Sequence, residues 1–341
     1  NITVTAPEFK GRLKKVEDIN IVRFHLMKIR FGDIYFSIPK KMKRLVADAD
    51  IIFNQTIGPI GASAIKNAKR QGKPIVSYVH SIEWELASKS VKRFKKIVEW
   101  WVKKRAKRLY NKCNLILVPS REVGYILTAN GVRTRKKIIK LGVNTNRFVP
   151  ARDEQDKFAV RKKLNLPTDK IHKIIIGFCG RIGREKDLPT LYSAFKNIIK
   201  TNQNIVLLIV GEGVDIREMK RDKNVILAGS VNNVVPYLQA MDIYVLPSLT
   251  ETSSLSTLEA MSCALPVVVT PVGSIKEYIV DGKNGLIFPP GDVLSLTKKL
   301  RRLIYSEKLR TDLGISARET TMGKYEWSKT VEEIYEVLSE L

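Results

Sequence analysis

Cysteine is scarce: the 341 residues hold three, Cys113, Cys179 and Cys263. They are widely spaced, odd in number and set in apolar segments. That excludes a disulfide framework and a Cys-based zinc motif, and it points to a reducing compartment. Histidine is as rare, and His25, His80 and His172 are scattered, so no His-rich metal site is expected. No apolar run nears the roughly 20 residues of a membrane-spanning helix. The longest, such as Ile205–Val210, have strand length. We read no signal peptide at the start. Asn1–Thr5 already reads as a strand, so we expect an N-terminal piece to be missing.

Acidic residues are lacking in one half. Residues 1–150 carry 33 Lys and Arg against 10 Asp and Glu, a net of +23, whereas residues 151–341 carry 27 against 24, a net of +3. Such asymmetry points to a polyanionic surface partner, nucleic acid or anionic lipid. The chain has no helix-turn-helix, zinc-finger or RNP-type signature, so no specific nucleic acid is expected. We read no carboxylate pair as a metal-binding Asp-x-Asp site, so no essential metal is expected.

What is present is an alternation of short apolar segments with helical ones, the pattern of parallel sheets covered on both faces. In the first half, strands are predicted at Ile2–Thr5, Ile19–Phe24, Asp50–Asn54, Pro74–Tyr78 and Leu115–Val118, with helices at Gly61–Gln71 and Leu86–Tyr110. Ile138–Leu141 reads as the last strand of that half, and Asn146–Pro150 followed by the polar run Ala151–Lys157 as a linker. A second α/β unit starts at Lys173–Phe178, with strands at Ile205–Val210, Val225–Leu227, Ile243–Leu246, Pro266–Thr270 and Gly285–Phe288. Two doubly wound halves are therefore predicted, with ligands at the carboxyl ends of their strands in a cleft between them.

Three motifs carry chemistry. Glu251-Thr-Ser-Ser-Leu-Ser-Thr-Leu-Glu259 sets two carboxylates eight residues apart around a Ser-rich helix start. Ser253, Ser254 and the free N–H groups there suit an anion, and the carboxylates suit sugar hydroxyls, a layout fitted to a sugar nucleotide. An acidic cap with a solvated helical Glu fits the same residues. Gly180-Arg181-Ile-Gly-Arg-Glu-Lys186 follows a strand, and Arg181 and Lys186 suit a diphosphate. A solvated basic loop is the other reading, preferred for Arg184. Val210-Gly211-Glu-Gly213 is a glycine turn at a strand end, which permits close backbone approach.

In this order and spacing, over nearly the whole chain, these motifs resemble the family-4 retaining glycosyltransferases of the GT-B fold. Gly142–Phe148, Pro266–Ser274 with Glu277, Asp281–Asp292 and Tyr325–Trp327 also match. The resemblance implies an N-terminal Rossmann-like domain over 1–149, a nucleotide-sugar-binding domain over 150–322, and a helix over 323–341 that crosses back to the first domain. It implies that Arg181 and Lys186 hold the donor diphosphate, Glu259 the ribose hydroxyls and Glu251 the transferred sugar. Gly180, Gly211, Ser253, Ser254 and Leu255 complete the donor pocket, and His80 faces the donor sugar. UDP is the commoner donor diphosphate and GDP the other. Two departures stand out. The usual Glu-Gly-Phe-Gly reads Glu251-Thr-Ser-Ser254, and the family's first strand and glycine-rich loop are absent before Asn1.

Leu86–Tyr110 sets Val91, Phe94, Val98, Trp101 and Val102 at helical spacing beside Trp84, Ile97 and Trp100. Its polar side holds Lys89, Lys92, Arg93, Lys95, Lys96, Lys103, Lys104, Arg105, Lys107 and Arg108, opposed only by Glu99. Tryptophans beside lysines describe a helix lying on an anionic membrane surface; a sheet-packed helix with a solvated basic face is the alternative. The pattern is similar to phosphatidylinositol mannosyltransferases and diacylglycerol glucosyltransferases. We therefore expect retaining hexose transfer to a lipid acceptor, by a cytoplasmic protein peripheral on the inner face of the membrane. A soluble sugar, sugar phosphate or polysaccharide acceptor, and an inactive donor-binding homologue, are the alternatives. A basic nucleic-acid-binding protein is the remote one.

Overall fold

The structure is a computed structural model and describes residues 1–8, 18–31, 34–91, 94–168, 173–213 and 217–341. His172, Lys92 and Arg93 lie outside the described residues, as does the Lys89 side chain. The chain divides into two compact units, Asn1–Ile139 with Ile334–Leu341, and Lys140–Glu333.

In unit 1, β1 (Ile2–Pro7) pairs in parallel with β2 (Ile19–Phe24), and β3 (Leu26–Phe31) pairs antiparallel with β4 (Ile34–Ser37). The main sheet is four parallel strands in chain order, β5 (Ile52–Asn54), β6 (Ile75–Tyr78), β7 (Leu115–Val118) and β8 (Lys136–Ile138). The helices are α1 (Met42–Ala47), α2 (Pro59–Arg70), α3 (Glu83–Ser90), α4 (Lys95–Tyr110) and α5 (Arg121–Ala129). Ile65 and Ala68 of α2 and Ala106 and Leu109 of α4 share one core with Ile75, Ile116 and Val118 of the sheet. Every residue of β6 is buried, which explains its unbroken apolar reading.

Three expectations change here. The first two strands do not join the main sheet but form their own pair. Ile2 and Val4 stay exposed, so apolar character alone did not bring β1 into a covered sheet. The hairpin β3–β4 was not predicted, although the Lys28-Ile-Arg-Phe31 alternation is the period-two signal of a strand. The helix predicted over Leu86–Tyr110 is two helices. Val91 is extended (φ −106°, ψ 148°) at the end of α3, and Phe94 is left-handed (φ 58°) at the start of α4.

Unit 2 runs α6 (Glu154–Lys163), β9 (Ile174–Cys179), α7 (Leu188–Ile199), β10 (Ile205–Val210), α8 (Arg217–Lys220), β11 (Val225–Gly229), α9 (Val235–Ala240) and β12 (Ile243–Leu246). It continues through α10 (Leu255–Ser262), β13 (Val267–Val269), α11 (Ile275–Tyr278), β14 (Leu286–Ile287), α12 (Val293–Ile304) and α13 (Glu307–Lys324), and α14 (Trp327–Ser339) follows. Six parallel strands stand in the order β11-β10-β9-β12-β13-β14. All of β10 and β12 is buried, as a sheet covered on both faces requires.

The segment read as a linker ends in helix, since α6 already starts at Glu154. Asp153 caps α6 by accepting from Asp156 N at 2.7 Å. The buried Arg161 donates to Ala240 O at 2.9 Å and to Asp242 Oδ2 at 2.6 Å, and Lys157 Nζ reaches Asp242 Oδ1 at 2.5 Å. These partners lie some 80 positions away, which is why a local polar reading missed the element. Among the described residues no helix is long and apolar enough to cross a membrane.

Candidate functional site

Strands β9 and β12 are neighbours, although one opens the sheet of unit 2 and the other is its fourth strand. The strand order reverses between them. Connections leaving their carboxyl ends diverge and open a crevice, the usual ligand position in such sheets. Gly180-Arg181 leaves β9 there and Pro247–Glu251 leaves β12. Two motifs far apart in sequence thus reach one place.

Their side chains meet. Glu251 Oε1 accepts from Ser248 Oγ at 2.7 Å and from Lys186 Nζ at 2.5 Å. The Lys186 and Glu251 side chains are only 17% and 10% exposed, so the pair is largely desolvated. Arg181 Nη2 pairs with Glu185 Oε1, where the guanidinium side is 48% exposed and the carboxylate 5%. Residues Arg184–Lys186 form one 3-10 turn, and the Glu185 carbonyl accepts from Leu249 N at 2.7 Å. That bond ties the turn after β9 to the loop after β12. Arg184 is exposed, in keeping with its solvated reading.

Helix α10 begins beside this cluster. Ser254 is its cap: the hydroxyl accepts from Thr257 N at 3.3 Å and lies 2.8 Å from Thr257 Oγ1. Its side chain is therefore occupied, and only backbone remains there for an anion. Leu255 at the first helical position is exposed and Ser253 partly so. Tyr244 supports the start from below, donating to Ser256 Oγ at 2.9 Å. Glu259 stands about one turn inside the helix. Burial raises its carboxyl above the usual range, and the Arg147 guanidinium opposes that rise.

Two glycines are set by close approach. Gly211 (φ 136°) has no room for a side chain, since a Cβ there would lie 1.9 Å from Gly180 O. Its neighbour is thus the β9 turn of the protein itself. Gly273 (φ 57°) packs on the Glu251 carbonyl, 2.1 Å from an added Cβ, and Ser274 N donates to Thr252 O at 3.0 Å. The loop after β13 thereby clamps the backbone that carries Glu251.

His80 belongs to unit 1, two residues beyond β6. Its Nε2 lies 2.5 Å from Gln55 Oε1, and its ring sits 4.7 Å from the Tyr78 ring. Desolvation lowers its pKa, which favours the neutral imidazole. Gln55, Ser248 and Glu185 were all missed by sequence reasoning. Only Glu185 carried a usable signal, an acid between two proposed phosphate ligands.

Helix α4 presents a divided outer face. Phe94, Ile97, Trp100 and Trp101 are 58–73% exposed around its N-terminal half. Lys104, Lys107 and Arg108 are exposed along its C-terminal half, while Ala106, Leu109 and Tyr110 are buried. Lys104 Nζ lies 4.7 Å from the Trp100 ring centroid and the Arg105 guanidinium 6.0 Å from that of Trp101. Trp84 does not belong to this surface. It is 2% exposed in the core, with Lys103 Nζ 5.9 Å from its ring, so it cannot meet a membrane as expected from the sequence.

These geometries define a class: parallel α/β units, one with an ion-paired cluster at its topological switch point. Residues 1–147 match the profile described as Glycosyltransferase Family 4, and residues 173–306 that described as Glycosyl transferases group 1. The chain belongs to the family-4 glycosyltransferases, with the GT-B fold. It is 29% identical to sulfoquinovosyl transferase SQD2 of Arabidopsis thaliana over 82% of this chain and 54% of that protein. It is 25% identical to alpha-monoglucosyldiacylglycerol synthase of Acholeplasma laidlawii over 87% of this chain and 77% of that one. The chain thus spans about half the length of the first relative. Anabaena HepE, solved with UDP and glucose, superposes with a TM-score of 0.77 at 18% identity, over 95% of this chain and 87% of HepE. That likeness concerns the fold.

Proposed function

We propose that this protein is a retaining hexosyltransferase that moves a sugar from a UDP-sugar to a membrane lipid acceptor. The observation that carries the donor half is the ion-paired cluster at the β9–β12 crevice, Lys186 with Glu251 and Arg181 with Glu185. Arg181 and Lys186 take the diphosphate, Arg as a fork and Lys as a point charge. Their main task is to stabilise the negative charge that develops on the departing nucleoside diphosphate. The backbone at Ser253–Leu255 adds N–H donors at a helix start. Glu259 accepts from the ribose hydroxyls. Oε1 of Glu251 is held by Ser248 and Lys186, which directs Oε2 to the transferred sugar. His80 keeps the role that the resemblance implies, contact with that sugar. The leaving phosphate takes the acceptor proton on the same face of the sugar, which yields retention without a covalent enzyme intermediate. HepE, solved with UDP and glucose, supports UDP as the donor diphosphate.

The lipid half rests on the outer face of α4. Four exposed apolar side chains followed by Lys104, Lys107 and Arg108 suit a helix end dipped into the headgroup boundary of an anionic bilayer. On this reading the protein is peripheral, on the cytoplasmic face. The named likeness to a monoglucosyldiacylglycerol synthase agrees with a lipid acceptor.

The test is UDP or GDP release from a panel of nucleotide sugars, with anionic vesicles present and absent. Release that rises with vesicles is expected. Release indifferent to vesicles but raised by soluble sugars overturns the lipid acceptor. No release with any donor overturns the activity.

A further inference from the structure

We propose that Glu185 is a positioning residue of the donor site, which holds the Arg181 guanidinium in place and offsets its charge so that the nucleoside diphosphate product can leave. This rests on the donor-site reading above, to which it adds a residue and a step.

The carboxylate of Glu185 is buried, and its partner is half exposed. A buried carboxylate needs a partner, whereas a half-exposed guanidinium is well solvated without one. Stability thus explains why a buried acid at 185 is paired, but not why an acid is there. Nor does the local turn. The tie between the two loops is made by the backbone carbonyl of residue 185 to Leu249 N at 2.7 Å, which any side chain at 185 would permit. Space has even been cleared for the acid: a Cβ on Gly183 would lie 2.2 Å from both carboxylate oxygens of Glu185. A charged side chain that neither the turn nor the fold requires acts on what it touches, the phosphate-binding arginine.

The neighbouring cation repeats the arrangement. Lys186 is paired with Glu251, so two ion pairs lie side by side across one turn and one loop. An entering diphosphate meets donors already oriented, yet the cluster carries no net charge. Two unpaired cations beside a helix start would bind the diphosphate more tightly in the product than turnover tolerates, since release often limits such enzymes. Glu251 is engaged with the sugar on the proposed reading, which leaves Glu185 as the acid whose charge serves only the cation.

The test is calorimetric titration of UDP into the full chain, with the native protein, Glu185→Gln, Glu185→Asp, Arg181→Gln and the double variant Arg181→Gln/Glu185→Gln. Thermal melting of each reports folding. Gln keeps the size of Glu and its acceptor for Arg181 but removes the charge. Glu185→Gln is expected to tighten UDP binding about three- to tenfold, the scale of one screened charge nearby. In turnover it lowers KM and kcat together. The tightening is expected to vanish in the Arg181→Gln background. Glu185→Asp keeps the charge and is expected to stay within about twofold of native, so tightening there equal to that of Glu185→Gln overturns the charge argument. Unchanged or weaker UDP binding by Glu185→Gln leaves Glu185 a merely structural acid and overturns the proposal alone. A native chain that binds no UDP overturns the donor-site reading and this inference with it.

Discussion

The Lys186 ammonium lies 2.5 Å from Oε1 of Glu251, 65 positions along the chain, and both side chains are more than four-fifths shielded from water. The pair joins the turn after β9 to the loop after β12, so it is a structural tie and, on the proposed reading, also a piece of the donor site. Lys186→Ala removes the cation from a shielded carboxylate and leaves it the Ser248 hydroxyl. Breaking such a pair costs about 2 kcal/mol, somewhat less than for a fully buried one. We expect a lower melting temperature and UDP binding at least tenfold weaker by titration. Glu251→Gln is expected to tighten UDP binding about three- to tenfold, as removal of one nearby screened charge does, while turnover falls about a hundredfold, in the range of lost transition-state contacts.

The clamp on Glu251 predicts an asymmetry between two glycines. Gly273→Ala places a Cβ against the Glu251 carbonyl in a left-handed backbone, whereas Gly282 (φ 79°) has nothing within 4 Å. Gly282→Ala pays only the left-handed cost, about 1 kcal/mol. Gly273→Ala is expected to cost about 3 kcal/mol or more and to weaken UDP binding. Urea denaturation of the two variants gives the comparison. Equal costs would show that the contact on Glu251 yields freely.

Glu83 opens α3 with Oε2 of its carboxylate buried. It is bonded to the Tyr110 hydroxyl, and among the described residues Oε2 has no hydrogen-bond partner. Burial pushes its pKa from 4.5 to about 7. Between those values the folded chain binds more proton than the unfolded one, so stability falls as pH rises across that window. The loss amounts to about 3 kcal/mol and is complete above pH 7. Glu83→Gln is expected to remove this slope and to melt higher than native at pH 8, with the difference shrinking toward pH 5. Parallel melting curves from pH 5 to 8 would show that Glu83 stays ionised.

Helix α4 separates into two contributions that vesicle sedimentation can read. Lys104→Glu/Lys107→Glu/Arg108→Glu reverses three exposed cations, each worth about 1 kcal/mol at an anionic surface. It is expected to abolish binding to anionic vesicles and leave donor hydrolysis intact. Trp100→Ala/Trp101→Ala is expected to weaken binding to the same vesicles with less dependence on salt. Trp84→Phe, in the core, is expected to leave vesicle binding unchanged. Lipid-acceptor turnover that survives the triple reversal would remove α4 from the membrane reading.

Sequence alone carried most of unit 2. Its central strands are buried on both faces and so appear as unbroken apolar runs, and its motifs sit at strand ends where only short-range order is needed to find them. The helix start at Ser254–Leu255 was legible for the same reason, because capping is local chemistry. Tertiary structure decided the rest. No spacing announces that Arg161 reaches Asp242 and makes a helix of a polar stretch. Nor does any spacing place Trp84 in the core while Trp100 and Trp101 stay outside. The break at Phe94 split a continuous helical pattern, and the partners of Arg181 and Lys186 became known only once β9 and β12 lay side by side. The physical reason is one of range. Burial periodicity and capping are properties of neighbours along the chain, whereas charge pairing, exposure and strand adjacency are properties of neighbours in space, which the chain acquires only by folding.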